Sequence, residues 1–495
     1  MGAPDIKGPQ KVVTVTPPDV PYPPQFWRMM AVNRSDGYLA IDPNNSQHLV
    51  GICRRFYGQG VDYQDVLEAQ YSFDGGNTWN TTGLPLDLTE FYSISDPWIG
   101  IGPDGTVYAI GLAVVTTNNM LGAAEAATAA GNGVLCFTSA DGGITWGQPV
   151  AIVNGTWCDQ TFGAVDPTSG RVYAIWFDES LAFAYSDDKG QTWQASASAQ
   201  PNNTKFDLGN AQFNFVNMSI GPDGAVHIIG CNDQGAMAYA RSLDNGKSFE
   251  FGQIATTQTG VNNIQGVLQA FEKNPYAPSL AVVNPPAILA VPGLQEPLVY
   301  AAWSVDTGQG APLIRICVTG SANNGQNWIS NLAGNDAPAA VPFLPLGTLP
   351  QTGNDHYFRP RLCAGPQGTI ACAFSYCNVG APLDPLIPVY DQLPVQFGTC
   401  LAVSSATEVI IKNKRGPVLG FYFEYFNPSA TTVVTVSNRL SRLYSVNPVL
   451  RWGIKGAYFI GDFIGACANS TTIFVYWSES TVGWQLLVSG LVFGT

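Results

Sequence analysis

The sequence repeats one short stretch five times: SFDGGNTW (72–79), SADGGITW (139–146), SDDKGQTW (186–193), SLDNGKSF (242–249) and SANNGQNW (321–328). Each copy follows an apolar run that is typical of a β-strand. A serine and an aspartate two residues apart can hydrogen-bond the backbone of a tight turn, and the glycines after them tolerate positive φ. Five copies of this serine–aspartate turn indicate a repeat protein.

A second motif, a glycine or proline turn followed by a β-branched and aromatic strand, recurs in seven places. The clear copies are GPDGTVYAIGL (102–112), TSGRVYAIWFD (168–178), GPDGAVHIIGC (221–231) and GPQGTIACAFSYC (365–377), and the looser ones are NNSQHLVGICRRF (44–56), EPLVYAAWSVD (296–306) and NSTTIFVYWSE (469–479). Together the two motifs predict seven units of four antiparallel strands. The last unit is one strand short, and KVVTVTP (11–17) is predicted to complete it.

The turns resemble Asp boxes, the repeats of the sialidase-like (BNR-repeat) β-propellers. The runs DPWI (96–99), YAIW (173–176) and GDFIG (461–465) extend the resemblance over residues 31 to 482. It implies an all-β fold, a single β-propeller of seven four-stranded blades closed by an N-terminal strand, with the six blades of sialidases as the alternative. Residues 1–30 are then an extended strap and closing strand, and residues 31–495 are the propeller.

The resemblance also implies which residues are structural. In Asp-box propellers the boxes lie on the face opposite the ligand site, and the corresponding residues here are Asp74, Asp141, Asp188, Asp244 and Asn324. The Ala-rich run MLGAAEAATAAG (120–131) is predicted to be a short helix or a loop inserted in the second unit.

Charge and composition exclude some partners. The net charge is −14, and the 22 basic residues form no concentrated patch, so no nucleic acid partner is expected. No run of about 18 apolar residues is present, which predicts no membrane span. The first residues contain no apolar signal-peptide core, while the resemblance implies a secreted or cell-surface protein. With only 12% charged residues, the chain could also contact protein assembly partners through apolar surface.

Ligand binding is expected at the rim where the first strand of each unit begins and the second ends. Equivalent positions of four first strands hold Asp36, Asp96, Arg359 and Asp462, and Asp159 lies one residue out of this register. The same rim is predicted to carry the ends of second strands, with Arg54, Asp178 and Glu179, and the aromatic Trp98.

Three interpretations of these acids remain open. Paired carboxylates, drawn from Asp36, Asp96, Asp159 and Asp462, could hydrolyse a glycosidic bond while Arg359 orients the sugar. Converging carboxylates could instead bind calcium, the one cofactor that the pattern suggests. Each aspartate could also simply cap its own loop.

The sequence therefore leaves three functions open: a glycosidase acting on a glycan or polysaccharide, a non-catalytic glycan- or protein-binding propeller, and a structural surface-assembly protein. Sialidases clamp their substrate with three arginines, the first in an Arg-Ile-Pro motif near the N-terminus. The nearest match here is FRPR (358–361), in the sixth unit, so true sialidase activity is not expected. The ten cysteines form no CxxC pair and are predicted to be buried thiols, with Cys363 and Cys372 as the best disulfide candidate.

Overall fold

A computed structural model describes residues 9–11, 27–32, 34–57, 64–87, 91–115, 132–156, 158–200, 205–209, 213–231, 236–255, 278–283, 297–306, 314–321, 324–326, 328, 355–364, 370–378, 396–404, 432–437, 464–469, 472–479 and 485–493. Every regular element within these ranges is a β-strand, so the all-β prediction is confirmed. The helix or loop predicted at 120–131 lies outside the described residues.

The strands form seven antiparallel sheets, numbered I to VII by their first strand. Two N-terminal strands, β1 (Pro9–Lys11) and β2 (Trp27–Val32), belong to the last sheet. Sheet I contains β3 (Arg34–Asp42), β4 (Asn45–Tyr57), β5 (Gln64–Ser72) and β6 (Asn80–Gly83); sheet II contains β7 (Phe91–Ile101), β8 (Val107–Val115), β9 (Asn132–Ser139) and β10 (Val150–Thr156). Sheet III contains β11 (Asp159–Val165), β12 (Val172–Phe177), β13 (Leu181–Ser186) and β14 (Gln194–Ala195); sheet IV contains β15 (Asn214–Ile220), β16 (Val226–Cys231), β17 (Met237–Ser242) and β18 (Glu250–Ala255).

The second half of the chain continues the pattern. Sheet V contains β19 (Ser279–Val283), β20 (Leu298–Asp306) and β21 (Ile314–Ser321); sheet VI contains β22 (Asp355–Ala364), β23 (Ile370–Asn378), β24 (Gln396–Ser404) and β25 (Thr432–Ser437); sheet VII contains β26 (Gly465–Ala468), β27 (Thr472–Glu479) and β28 (Gln485–Phe493). Apart from β1 and β2, neighbouring strands in each sheet follow chain order.

Sheet VII is completed by the N-terminus. One edge of β28 pairs with β27, and β1 and β2 pair with its other edge, β2 beside residues 485–489 and β1 beside residues 492–493. Of the closing strand predicted at 11–17, only Lys11 lies within the described residues. Most of the observed pairing is made by Trp27–Val32, which crosses the predicted boundary between residues 1–30 and 31–495.

The first strands of the sheets contact one another in series. β3 contacts β7, β7 contacts β11, β11 contacts β15, β15 contacts β19, β19 contacts β22, β22 contacts β26, and β26 contacts β3. Large aromatic side chains, among them Trp176, Trp303, Tyr173 and Tyr300, are fully buried within and between the sheets. The hydrophobic surface of each sheet is therefore covered by its neighbours.

The serine–aspartate turns make the hydrogen bonds predicted for them. In the first turn the Ser72 hydroxyl accepts from the Gly76 N–H at 2.9 Å, and Asp74 accepts from the N–H and the hydroxyl of Thr78 at 2.8 and 2.6 Å. Trp79 donates its indole N–H to the Gly76 carbonyl at 2.9 Å. The turns at Asp141, Asp188 and Asp244 repeat the serine and aspartate bonds.

The fifth turn differs from this pattern. Ser321 again accepts from the Gly325 N–H at 2.9 Å, but Asn324 occupies the fourth position of its turn and not the third, where the aspartates stand. Its φ is +55°, close to the +59° of Asn245 at the same position of the fourth turn, and its side chain donates to Asp223 at 2.8 Å. Asn324 therefore links sheet V to sheet IV and does not replace the turn aspartate.

Each turn also packs against the sheet before it. Gly246, with φ +82°, lies over the ring of Phe183 in sheet III, where an added Cβ would come within 2.6 Å of Phe183 Cζ. The edge that carries these turns, the turn rim, is further joined by hydrogen bonds between sheets, such as Arg171 to the Asn245 carbonyl at 2.6 Å and Asn44 to the Pro103 carbonyl at 2.6 Å. Local turn sequence thus contributes directly to packing between sheets.

The cysteines whose side chains the structure describes are free thiols, and Cys363 and Cys372 do not form the disulfide considered from sequence. Cys372 pairs in register with Leu362, while Cys363 pairs with Ala371. Paired residues point to the same face of a sheet and successive residues to opposite faces. The two thiols therefore lie on opposite faces of sheet VI.

Candidate functional site at the bulge rim

A β-bulge interrupts the first strand of five sheets at equivalent positions. Each bulge shifts the register between the first and second strands and contains a non-glycine residue with φ between 49° and 56°: Asp36, Asp96, Gln160, Phe215 and Arg359. Aspartate tolerates this left-handed conformation better than most residues, whereas phenylalanine and arginine rarely adopt it. The edge that carries the bulges, the bulge rim, lies at the opposite ends of the strands from the turn rim.

The equivalent first-strand positions that the sequence predicts for the ligand-binding rim coincide with these bulges. Asp36, Asp96 and Arg359 are bulge residues, and Asp159, predicted one residue out of register, directly precedes the bulge residue Gln160. Asp462 lies outside the described residues. Because the bulge forms with a glutamine, a phenylalanine or an arginine, the backbone does not require an acid at this position.

Asp96 and Asp159 converge from neighbouring sheets on one donor. The Gln160 N–H lies 3.3 Å from Asp96 Oδ2 and 3.0 Å from Asp159 Oδ1. The two oxygens therefore lie at most roughly 6 Å apart, an upper bound that is compatible with the spacing of about 5 to 5.5 Å in retaining glycosidases. Thr161 donates its hydroxyl to the Asp96 carbonyl at 2.6 Å and fixes the two strands together. Both acids are partly exposed.

Asp36 belongs to a second charged group on the same rim. Arg54, at the end of β4, donates to Asp65 at 2.6 Å through Nε and also through Nη2, and its Nη1 lies 3.5 Å from Asp36 Oδ2. Asp36 and Asp65 are both buried. Within the described part of the chain, the second oxygen of Asp65 accepts no hydrogen bond. The arginine thus stands between two buried carboxylates.

Sequence reasoning missed Asp65 and also Glu68, which accepts from Arg55 at 2.9 Å. Arg54 pairs in register with Leu67, so Asp65 is its diagonal neighbour across the hairpin, and Glu68 has the same relation to Arg55. Opposite charges at diagonal positions of a predicted hairpin could have indicated both contacts. Gln160 was missed because an uncharged amide gives no signal for acid–base chemistry.

The remaining predicted site residues do not join the Asp96–Asp159 pair. Arg359 is buried, and its N–H donates to the Ser304 hydroxyl at 3.2 Å. Asp178 is buried and Glu179 is exposed, with φ +59°. Trp98 is buried between sheets II and III, its indole lying over Gly163, where a Cβ would come within 2.5 Å of the ring. Trp98 therefore fills space between sheets and offers no open stacking surface.

Four of the five residues that lie two positions after a bulge contact one another. Tyr38 of sheet I and Phe162 of sheet III form an edge contact with ring centroids 5.5 Å apart, and Trp98 lies 6.3 Å from Phe162. The Arg361 guanidinium of sheet VI lies 5.1 Å from the Tyr38 ring and 4.8 Å from the Phe162 ring. Side chains of sheets I, II, III and VI thus meet in one contact, the axial cluster of Tyr38, Trp98, Phe162 and Arg361.

The described residues contain neither a metal-binding cluster nor a membrane-spanning helix. No group of three or more histidine, cysteine or acidic side chains is arranged to hold a metal ion in the described ranges, so the calcium hypothesis has no candidate cluster there. Among the same residues, no helix has the length and apolar character needed to cross a membrane.

No protein-family model and no curated protein matches the sequence. Similar solved structures include the NanB sialidase from Streptococcus pneumoniae, at 13% identity over 72% of this chain and 68% of that one, with a TM-score of 0.43. The Trypanosoma rangeli sialidase is 12% identical over 70% of this chain and 53% of that one, with a TM-score of 0.42. A protein of unknown function from Dyadobacter fermentans is 16% identical over 72% of this chain and 96% of that one, with a TM-score of 0.40.

Proposed function

We propose that the seven sheets are the blades of one closed β-propeller whose bulge rim binds and hydrolyses an extracellular glycan. Two observations support the closed ring: the first strands contact one another in an unbroken series, and the N-terminal strands pair with β28. Closure would also protect the edge of the last sheet. The turns would then be Asp boxes, with the structural role that their hydrogen bonds suggest.

The observation that carries the hydrolytic function is the convergence of Asp96 and Asp159 on the Gln160 N–H. Two carboxylates at this spacing can divide the reaction between them, one protonating the leaving oxygen and the other attacking the sugar. Asp96 lies at a bulge that three other sheets form without an acid, so the bulge itself does not require its carboxylate. Arg54, whose side chain is 13% exposed, would orient polar groups of the substrate, whereas Arg359 is buried and would need to move to do so.

Non-catalytic glycan binding is the second candidate. It is favoured by the bonds that the acids already make, since the oxygens of Asp96 and Asp159 both accept a backbone hydrogen bond. Such carboxylates can fix ligand hydroxyls without transferring a proton.

A screen of natural polysaccharides and aryl glycosides, including sialosides, tests both candidates when hydrolysis and equilibrium binding are measured together. The variants are Asp96→Asn and Asp159→Asn, and the control is Asp141→Asn on the turn rim. Product that disappears in the rim variants but not in the control supports the hydrolase. Binding without product supports the second candidate, and neither signal with any glycan rejects both.

A further inference from the structure

Arg54 is held by a buried acid on the face of sheet I that packs against sheet II. Its guanidinium donates to Asp65 Oδ2 through Nε at 2.6 Å and also through Nη2. Arg54 pairs in register with Leu67, which lies two residues after Asp65, so the three side chains share one face of the sheet. An added Cβ on Gly111 of sheet II would come within 2.8 Å of Leu67 Cδ1, which places this face against sheet II.

The same interface leads to the Asp96–Asp159 pair. Strand β7, whose bulge carries Asp96, contacts both β4 and β5 of sheet I. Arg54 lies near the end of β4 and Asp65 near the start of β5, so both residues belong to the bulge rim. The Arg54 side chain is 13% exposed and therefore remains within reach of a ligand at this rim.

The acids around Arg54 outnumber its single positive charge. Its Nη1 lies 3.5 Å from Asp36 Oδ2, so two buried carboxylates face one guanidinium. A guanidinium paired in this way can still donate hydrogen bonds, but it adds little net positive charge to the rim. Asp96 and Asp159 are partly exposed at the same rim and add further negative charge. An acidic sugar would therefore be repelled more strongly than a neutral one.

We propose that Asp65 is a positioning residue that makes the bulge rim selective for glycans without acidic groups. Asp65 would fix the Arg54 guanidinium so that it donates to hydroxyl groups of the glycan. The charge of Asp65, together with that of Asp36, would offset the attraction of Arg54 for a carboxylate or a sulfate. This inference rests on the proposed glycan binding at the rim, but it does not depend on hydrolysis.

A matched pair of ligands measures the selectivity: a neutral oligosaccharide that binds in the screen, and the same oligosaccharide with one primary hydroxyl group oxidised to a carboxylate. At low ionic strength the wild type should bind the neutral form about 10-fold more tightly. Asp65→Asn keeps the shape of the side chain and an acceptor oxygen for Arg54 but removes the charge. This variant should lower the ratio of the two affinities by about 10-fold, mainly through tighter binding of the acidic form.

The turn rim supplies the control. Arg171 donates to Asp187 through Nε at 2.6 Å and through Nη2 at 3.0 Å, so Asp187→Asn removes the same charge from a similar pair at the opposite rim. The ratio of affinities should not change in this variant. A purely structural role of Asp65 would weaken the binding of both ligands together and leave their ratio unchanged.

The outcomes separate this inference from the proposed function. Equal or tighter binding of the acidic form by the wild type, or an unchanged ratio in Asp65→Asn, overturns the selectivity but leaves glycan binding at the rim intact. Binding of neither form by the wild type rejects the proposed function and this inference with it. If Asp65→Asn does not fold, Asp36→Asn removes the second acid beside Arg54, and an unchanged ratio in that variant overturns the selectivity.

Discussion

The Tyr476 hydroxyl donates a hydrogen bond to Gln70 Oε1 at 2.5 Å, and this bond joins the last sheet of the chain to the first. Both side chains are fully buried. Gln70 extends the hydrogen-bond network, because its amide donates to Glu68 Oε1 at 3.1 Å and to Cys53 Sγ at 3.3 Å. A buried polar network therefore lies at the junction that would close a ring of blades.

Replacing Tyr476 by phenylalanine should destabilise the protein by about 1 to 3 kcal/mol, because Gln70 loses a buried donor while the ring remains. The midpoint of urea unfolding measures this change. Tyr71→Phe is the control, since the half-buried Tyr71 hydroxyl makes no hydrogen bond within the described residues, and we expect a change of at most about 0.5 kcal/mol. Equal losses in the two variants would show that the hydroxyl of Tyr476 contributes nothing specific.

Alanine substitutions at Gly246 and Gly105 distinguish the cost of backbone strain from the cost of disturbed packing between sheets. Both have φ +82°, but a Cβ on Gly246 would meet Phe183 within 2.6 Å, whereas none of the surrounding atoms lies within 4 Å of a Cβ on Gly105. Gly105→Ala should cost about 1 to 2 kcal/mol through its backbone conformation alone. Gly246→Ala should cost about 1 to 3 kcal/mol more, because the turn must move away from sheet III. Similar unfolding midpoints for the two variants would contradict the packing role of the turn.

His227 should make stability depend on pH. It is fully buried, and its Nδ1 lies 2.5 Å from the Tyr239 hydroxyl. Burial lowers the pKa of His227 to about 4; nearby Asp223 opposes this shift and Arg241 adds to it. Between about pH 4 and 6.5 the unfolded chain therefore binds more protons than the folded one. The stability that neutral His227 contributes to the folded protein is complete above pH 6.5 and is lost as the pH falls toward 4.

The measurement is the free energy of unfolding from pH 7 to pH 4 in the wild type and in His227→Gln. The wild type should lose up to about 3 kcal/mol more than the variant over this range. Parallel pH profiles would mean that His227 is not neutral and buried in the folded protein.

The buried cysteines should resist alkylation in the folded protein. Burial raises the pKa of Cys136 and of Cys363 to about 12, which leaves almost no reactive thiolate at pH 8. Iodoacetamide should therefore label Cys136, Cys363 and Cys372 only after unfolding, as judged by peptide mass spectrometry, and prior reduction should make no difference. A Cys363–Cys372 peptide linked by a disulfide would contradict the strand register of sheet VI.

The sequence predicted the repeated features well because they are local. A turn such as Ser72 to Trp79 contains its own hydrogen-bond donors and acceptors, so its geometry can be read without the rest of the fold. The register of Asp36, Asp96 and Arg359 could be read for the same reason, from a fixed distance to the turn that ends the strand.

Contacts that depend on pairing or on the whole assembly were not predictable in this way. The Arg54–Asp65 bond depends on the register of β4 with β5, which the number of residues between the two strands does not fix. The burial of Trp98 against sheet III and the meeting of Arg361 with Tyr38 and Phe162 depend on sheets that are distant in sequence. Both β1 and β2 pair with the free edge of β28, and the sequence alone pointed only to the segment that begins at Lys11.

The most direct test of the account is the rate of glycoside hydrolysis by the wild type, Asp96→Asn, Asp159→Asn and Asp141→Asn on the best substrate of the screen. Loss of a proton-transferring or attacking carboxylate should lower kcat by about 100-fold or more in both rim variants, with Asp141→Asn unchanged. The paired carboxylates would be contradicted as the functional site if the rim variants retained wild-type hydrolysis, or if the wild type neither cleaved nor bound any glycan.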